Sequence, residues 1–145
     1  MSLAKRRIVT FLIAVLIVVL FYLMRGGYSI SLELQENDSI TVGGPQDITY
    51  SVRYEDIEAV ELLHDFDPGE CLEGGTKFGY SYGTWKSGAY GEYTFIAKSK
   101  AKVYIALTAN DSRVLVFDYE GDETTENLYQ LILDLLEQRG ISHNI

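Results

Sequence analysis

The chain has 145 residues, with 21 aspartates and glutamates against 12 lysines and arginines, and a formal net charge of −9 at pH 7. This acidic balance repels phosphate groups, which argues against both nucleic acid and anionic lipid headgroups as partners. The single cysteine, Cys71, excludes an intramolecular disulfide, so packing alone has to hold the core.

An apolar run close to the N-terminus predicts a transmembrane helix over residues 8–24. The run IVTFLIAVLIVVLFYLM contains no charged residue, and Lys5, Arg6, Arg7 and Arg25 flank it. At about 1.5 Å per residue it is near the lower limit for crossing a hydrocarbon core of about 30 Å. A cleaved secretory signal is the alternative, but the small residues that a signal peptidase needs are missing after the run. We therefore expect an uncleaved anchor.

The basic residues also predict the orientation of this anchor. Three of them precede the apolar run and only Arg25 follows it closely. Because basic flanks stay on the cytoplasmic side, we expect a single-pass protein of the cell membrane with its C-terminal domain outside the cytoplasm. The predicted divisions are a cytoplasmic tail (1–7), the helix (8–24), a linker (25–27), one domain (28–140) and a C-terminal tail (141–145).

The predicted domain is strongly acidic, which favours a basic or cationic partner. All 21 acidic residues but only eight basic ones lie beyond residue 27, so the formal charge of this part is −13. The electrostatic field of this negative charge attracts positively charged groups.

Alternating side chains predict four strands in the first half of the domain. Residues 28–35 alternate, Glu36-Asn37-Asp38 supplies a turn, and residues 40–42 continue the period of two, which indicates a hairpin. The run ITYSVRY predicts a third strand. Residues 57–63 fit either a strand with a bulge or a short helix, and we favour the strand.

The second half of the domain predicts three hairpin-linked strands and a helix. The strands begin near Tyr93, Val103 and Arg113, and the helix is predicted from Asp122 or Thr124 as the N-cap to a stop at Arg139-Gly140. The predicted apolar stripe of this helix comprises Leu128, Leu131, Ile132, Leu135 and Leu136. The fold class is therefore mainly β, with about seven antiparallel strands and one C-terminal amphipathic helix.

Two segments have these patterns most clearly, YSVRYEDIEAVEL and YGEYTFIAKSKAKVYIALTANDSRVLVFDYEGDETTENLYQLILDLL. Together they resemble the bacterial pleckstrin-homology-like (PH-like) domains, whose superfold is a strongly bent antiparallel barrel plugged by a terminal helix. The second segment has the order of the family's C-terminal half: an aromatic strand, a basic turn, an alternating strand, a strand ending in an acid, and the helix. The resemblance implies a PH-like barrel beside a membrane helix. These families are largely of unknown function, and no catalytic residues come with the resemblance.

The run FGYSYGTWKSGAYGEYTF concentrates glycines and aromatic rings between residues 78 and 95. We favour a structural role, in which a long connection between two sheet segments bends at its glycines and covers a barrel opening with its rings. The functional alternative is a surface loop that binds a peptide or glycan. Its binding residues are then Tyr80, Tyr82, Trp85 and Tyr90.

The acidic segment DFDPGE offers Asp65, Asp67 and Glu70 as candidate oxygen ligands for calcium. It lacks the spacing of an EF-hand, so we favour a solvated loop and expect no metal or other cofactor. Catalysis is also not expected. His64 and the tail residue His143 have no neighbouring partners that form a triad, and Cys71 is predicted in a loop without a nearby base.

Two functions remain. The first is a non-catalytic protein-interaction module anchored in the membrane, for example within a membrane assembly, which binds through an exposed sheet edge or through the aromatic run. The second is lipid or small-ligand sensing at the membrane surface, for which the turn with Lys98, Lys100 and Lys102 is the only basic feature.

Overall fold

The computed structural model describes residues 2–26, 28–34 and 39–141, which form two helices and nine strands. The helices are α1 (Leu3–Gly26) and α2 (Asp122–Gln138). The strands are β1 (Ser31–Leu34), β2 (Ser39–Gly43), β3 (Thr49–Arg53), β4 (Ile57–His64), β5 (Glu70–Lys77), β6 (Tyr80–Ser87), β7 (Gly91–Lys98), β8 (Val103–Ala109) and β9 (Val114–Phe117). The predicted mainly β class is confirmed. The predicted turn at Glu36-Asn37-Asp38 and the tail beyond Ile141, with His143, lie outside the described residues.

Helix α1 is long and apolar enough to span a membrane. Its segment Leu3–Met24 has a mean hydropathy of 2.7, and none of it is buried by the rest of the chain. At about 1.5 Å rise per residue, its 22 residues are long enough to span a hydrocarbon core of about 30 Å. A signal sequence has the same length and composition, so these properties fit a membrane anchor and a signal equally.

The strands form two separate sheets and not the closed barrel expected from the sequence. A three-stranded sheet has the order β1-β2-β3, and a six-stranded sheet has the order β4-β8-β9-β7-β6-β5. The separation occurs at a short 3₁₀ turn, Tyr54–Asp56, after which β4 pairs with β8 and not with β3. Neither sheet closes on itself within the described residues, so β4 and β5 are the edges of the larger sheet.

Strand β9 lies between β7 and β8, which corrects the prediction of three consecutive hairpins. It pairs antiparallel with β8 and parallel with β7, where Thr94 is opposite Leu115 and Ile96 is opposite Phe117. All four residues of β9 are buried. A short strand that is apolar on both faces is favoured in the interior of a sheet, where other parts of the protein cover both faces. This explains the position of β9 between β7 and β8.

Two hydrophobic clusters occupy opposite faces of the six-stranded sheet. Adjacent residues of β7 point to different clusters, with Ile96 in the first and Phe95 in the second. The first cluster joins this sheet to the three-stranded sheet and α2, and its α2 members are Leu128, Tyr129, Ile132 and Leu136. The second is mainly aromatic and contains Trp85, Tyr93, Phe95, Ala97, Tyr104, Ala106, Val114 and Val116.

Strand β4 and helix α2 agree in part with the sequence predictions. Strand β4 is a strand, as favoured, and its register shifts between Ile57 and Ala59 as expected for a bulge. Helix α2 ends before Gly140, whose φ of +66° suits a glycine after a helix. The predicted N-cap was wrong, because Gly121 occupies that position. Of the predicted apolar stripe, Leu131 is 46% exposed, while Tyr129 is buried in its place.

Strand β5 crosses β6 at a pair of glycines. Gly74 and Gly83 are directly opposite each other, and each has a φ of +108°. A Cβ atom on Gly83 would lie 2.0 Å from the carbonyl oxygen of Glu73 and 2.8 Å from the Cα of Gly74. Only glycine therefore permits this close approach of the two backbones.

We predict that Gly83→Ala destabilises the protein by about 2 kcal/mol or more, because the new methyl group collides with backbone atoms and the φ angle is unfavourable for alanine. Urea unfolding of the full chain in detergent, followed by circular dichroism, measures the change. Gly88→Ala is the matched control, since a Cβ there meets nothing within 4 Å. Equal stability of the two variants would contradict the crossing.

Candidate functional site

The glycine and aromatic run is not a loop, contrary to both interpretations of the sequence. It forms β6, a short turn and the first half of β7, which pair over their whole length from Tyr80–Lys98 to Ser87–Gly91. Of the four proposed binding residues, Tyr82 is 2% exposed and Trp85 is 9% exposed, while Tyr80 and Tyr90 are half-buried. Two of the four rings therefore belong to the protein interior in this structure.

The acidic segment after β4 covers the second cluster. The ring of Phe66 packs against those of Tyr93, Phe95 and Tyr104, with centroids 5.8 to 6.4 Å apart. The hydroxyl of Tyr93 donates a hydrogen bond of 2.7 Å to the carbonyl of Pro68. Burial raises the pKa of Tyr93, so this hydroxyl remains protonated and available as a donor. The segment and the aromatic run are thus two parts of one packing unit.

The candidate calcium ligands do not converge. Asp65 and Asp67 are exposed in the segment after β4, and Glu70 begins β5. One carboxylate oxygen of Asp67 accepts a 3.0 Å hydrogen bond from the amide of Gly69, which is the geometry of a turn. Within the described residues, no group of three His, Cys, Asp or Glu side chains is placed to hold a metal ion.

Strand β5 is an exposed edge. It pairs with β6 and has no second partner among the described residues, and every residue except Gly75 is exposed. Leu72 is 46% exposed at a register shift between Cys71 and Glu73. Cys71, predicted in a loop, therefore lies on this strand. Unpaired amides and carbonyls on such an edge are available to an additional strand.

The end of β9 carries a buried acid that the sequence pattern did not identify as unusual. Asp118 is fully buried, and its Oδ1 accepts a 2.7 Å hydrogen bond from the amide of Lys98, while Oδ2 has no partner. Burial raises the pKa of Asp118 to about 6 despite the Lys98 amide and charge, and the nearby Asp122 acts in the same direction as burial. Tyr104 also lies within electrostatic range.

The residues after Asp118 attach α2 to the sheet. Asp122 accepts hydrogen bonds of 3.1 and 3.2 Å from the amides of Lys102 and Val103. The buried hydroxyl of Thr125 accepts from the amide of Tyr119 at 3.0 Å. The segment DYEGDETT therefore uses its polar side chains to join the end of β9, the β7–β8 connection and the start of α2. We find no catalytic arrangement in this network.

A shallow cleft separates β3 from strands β6 and β7. Its volume is about 300 Å³, and its lining includes Thr49, Ser51, Thr84, Glu92 and Thr94. The lining consists largely of hydroxyl groups and the cleft is open to solvent. Small-molecule sites are usually enclosed and mostly apolar, so this cleft gives little support to a ligand-sensing function.

Comparisons with protein-family models, with curated proteins and with solved structures find no match to this chain. Neither the fold nor these features is therefore assigned to a family. The sheet edge and the polar network are the features on which function has to be argued.

We predict that Asp118→Asn removes a pH dependence of stability. The folded state raises this pKa from 3.8 to about 6, so it binds the proton more tightly than the unfolded chain does. The contribution of Asp118 to stability is therefore greatest below pH 3.8 and is lost as the pH rises through about 6, by about 3 kcal/mol in total.

Urea unfolding of the full chain at several pH values from below 3.8 to above 6 tests this prediction. The wild-type protein should lose more stability than Asp118→Asn as the pH rises. Glu123→Gln is the control, because Glu123 is an exposed acid in the same region and should leave the wild-type pH dependence intact. Parallel pH profiles for wild type and Asp118→Asn would contradict the assignment.

Proposed function

We propose that this chain is a membrane-anchored, non-catalytic protein-interaction module that binds an extended segment of a partner along the outer edge of β5. The observation that supports this function is the exposure of an eight-residue edge strand on both of its faces. Extended peptides add to such edges through main-chain hydrogen bonds.

The chemistry of the edge favours a basic partner segment. Glu70 and Glu73 lie on β5, and Asp65 and Asp67 precede it, all of them exposed. Leu72 adds an exposed apolar side chain between the two glutamates. A partner strand with lysine or arginine alternating with apolar residues is complementary to this surface.

The membrane anchor and the orientation are part of the proposal. Helix α1 serves as an uncleaved anchor, and the excess of basic residues before its apolar run keeps the N-terminus in the cytoplasm. The β5 edge then faces the extracytoplasmic side, where a partner in a membrane assembly reaches it.

The function is argued from the edge and not from the PH-like resemblance. A C-terminal helix packed against β-sheets is the feature that agrees with the expected superfold. The two separate sheets and the parallel pairing of β7 with β9 depart from its antiparallel barrel.

The outward-facing backbone of β5 can be assigned from its hairpin with β6. Lys77 and Tyr80 flank a two-residue turn, so they form the hydrogen-bonded pair, and the next pair, Thr76 and Ser81, is not hydrogen-bonded through the backbone. The two hydroxyls of that pair approach to 3.0 Å. The amide of Thr76 is therefore directed away from β6, towards a docking strand.

We predict that Thr76→Pro weakens peptide binding about tenfold, because it removes one outward donor without breaking the pairing with β6. Peptides selected from a random library against the full-length chain in nanodiscs are the probes. They should be rich in lysine and arginine at alternate positions.

Thr76→Ala is the matched control, since it loses the same side chain and retains the amide. This control should bind the selected peptides as the wild type does. The double variant Glu70→Gln, Glu73→Gln should bind them more weakly. Binding that is unaffected by Thr76→Pro would remove the β5 edge from the proposed function.

A further inference from the structure

We propose that one end of the six-stranded sheet is a membrane-contacting surface that binds the anionic headgroups of the bilayer in which α1 is embedded. This surface, the basic end, consists of Lys77, Phe78, Lys98, Ser99 and Lys100. It is separate from the outer edge of β5 and does not depend on a protein partner.

The strand register brings the members of the basic end together. Lys77 is opposite Tyr80, and Tyr80 is opposite Lys98, so these residues lie at one level across β5, β6 and β7. The amide of Ser99 donates a 2.8 Å hydrogen bond to the carbonyl of Gly79. The turn between β5 and β6 is thereby joined to the connection that carries Lys100.

Aromatic contacts place this end beside the membrane helix. The rings of Phe21 and Phe78 meet edge to face with centroids 5.9 Å apart, and Tyr28 packs against Phe78 at 4.8 Å. Phe21 belongs to the apolar run that ends at Met24. Phe78 therefore lies at the depth of the last turns of the membrane-spanning segment, where bilayer and headgroups meet.

The backbone at Phe78 is unusual for an aromatic residue. Its φ is +50°, and Gly79 follows with a φ of +79°, so the pair forms a two-residue turn in the left-handed region. Asparagine, aspartate and glycine are the residues that such turns favour. Turn chemistry does not explain a phenylalanine here, whereas an apolar ring that packs on the membrane helix and is 37% exposed has a place at the edge of the bilayer.

Lys77 and Lys100 are exposed at the basic end, and Lys98 is half-buried beside the buried Asp118. Lys77, Lys98 and Lys100 form no ion pair within the described residues, whereas Arg53 and Arg113 are paired with Glu55 and Asp111. This local excess of positive charge explains why a domain with a formal charge of −13 can still contact an anionic surface on one side.

Two aspartates near this end use their carboxylates to accept hydrogen bonds from backbone amides. Asp118 is buried and accepts from the backbone of Lys98. Asp122 binds backbone amides at the start of β8, close to Lys102, and Asp65 hydrogen-bonds through its own amide to the Lys102 carbonyl. Lys102 therefore lies on the acidic side of the sheet end, and we leave it out of the surface.

Energy transfer from the protein to the headgroups in nanodiscs tests the contact in the full-length chain. A donor dye is attached through Ser99→Cys in a Cys71→Ser background, and headgroup-labelled lipid is the acceptor. Ala89→Cys is the distance control, because Ala89 is exposed in the turn at the other end of the β6–β7 hairpin. One set of discs contains phosphatidylcholine, and in the other about one lipid in three is phosphatidylglycerol.

The dye at residue 99 should transfer more energy than the dye at residue 89, and more in the anionic discs than in the neutral ones. Replacing Lys77, Lys98 and Lys100 by glutamine should lower energy transfer in the anionic discs to the value measured in the phosphatidylcholine discs. Each lysine removed should shift the equilibrium about fivefold from the surface-bound domain towards the domain released from the surface. Lys86→Gln is the charge control, because Lys86 is an exposed lysine at the far end of β6. Phe78→Ser should lower transfer in both lipids.

A salt titration of the labelled protein that keeps its three lysines gives the same test without a substitution that could affect folding. Added salt should lower energy transfer in the anionic discs alone. Equal transfer from residues 99 and 89, the absence of any difference between the two lipids, or an equal loss for Lys86→Gln would overturn the proposal. None of these results depends on peptide binding at β5, so the two proposals fail separately.

Discussion

The insertion of β9 between β7 and β8 is the constraint on which much of the domain depends. Because β9 separates two strands that are consecutive along the chain, residues 99–102 have to pass across its end to begin β8. That crossing places Asp118 under the amide of Lys98 and brings Asp122 to the amides of Lys102 and Val103. The same crossing carries the exposed Lys100, and α2 follows β9 to pack on the first cluster.

The two faces of the six-stranded sheet carry different clusters. The first cluster, in which aliphatic residues predominate, joins the sheet to α2 and the smaller sheet, while the second, richer in aromatic rings, is covered by Phe66 and the segment after β4. Apolar burial on both faces is the main source of stability in a domain without disulfides. Among the strands of the larger sheet, β5 is the edge that is exposed over almost its whole length.

Local patterns predicted the elements better than their pairing. Alternation at Val103, Ile105 and Leu107 predicted β8, and the change of period after residue 121 predicted α2. The position of β9 was not predictable, since strand pairing depends on non-local packing. Gly74 and Gly83 interrupt the alternation, and their close approach is recognisable only once the β5–β6 register is known, so this region was taken for a connection. An exposed sheet edge was among the predicted binding routes, but the strand that forms it and the burial of Asp118 were not predictable, because both are properties of the assembled sheet.

In the proposed topology, α1 holds the domain on the outer side of a membrane with the β5 edge accessible. Cys71 is the chain's single cysteine and is exposed on that edge, so a membrane-impermeant maleimide reports both properties. In intact cells expressing the chain, the proposed topology predicts labelling of Cys71 to the same extent as after permeabilisation, and no labelling of Cys71→Ser. Labelling only after permeabilisation would place the domain in the cytoplasm and contradict the account.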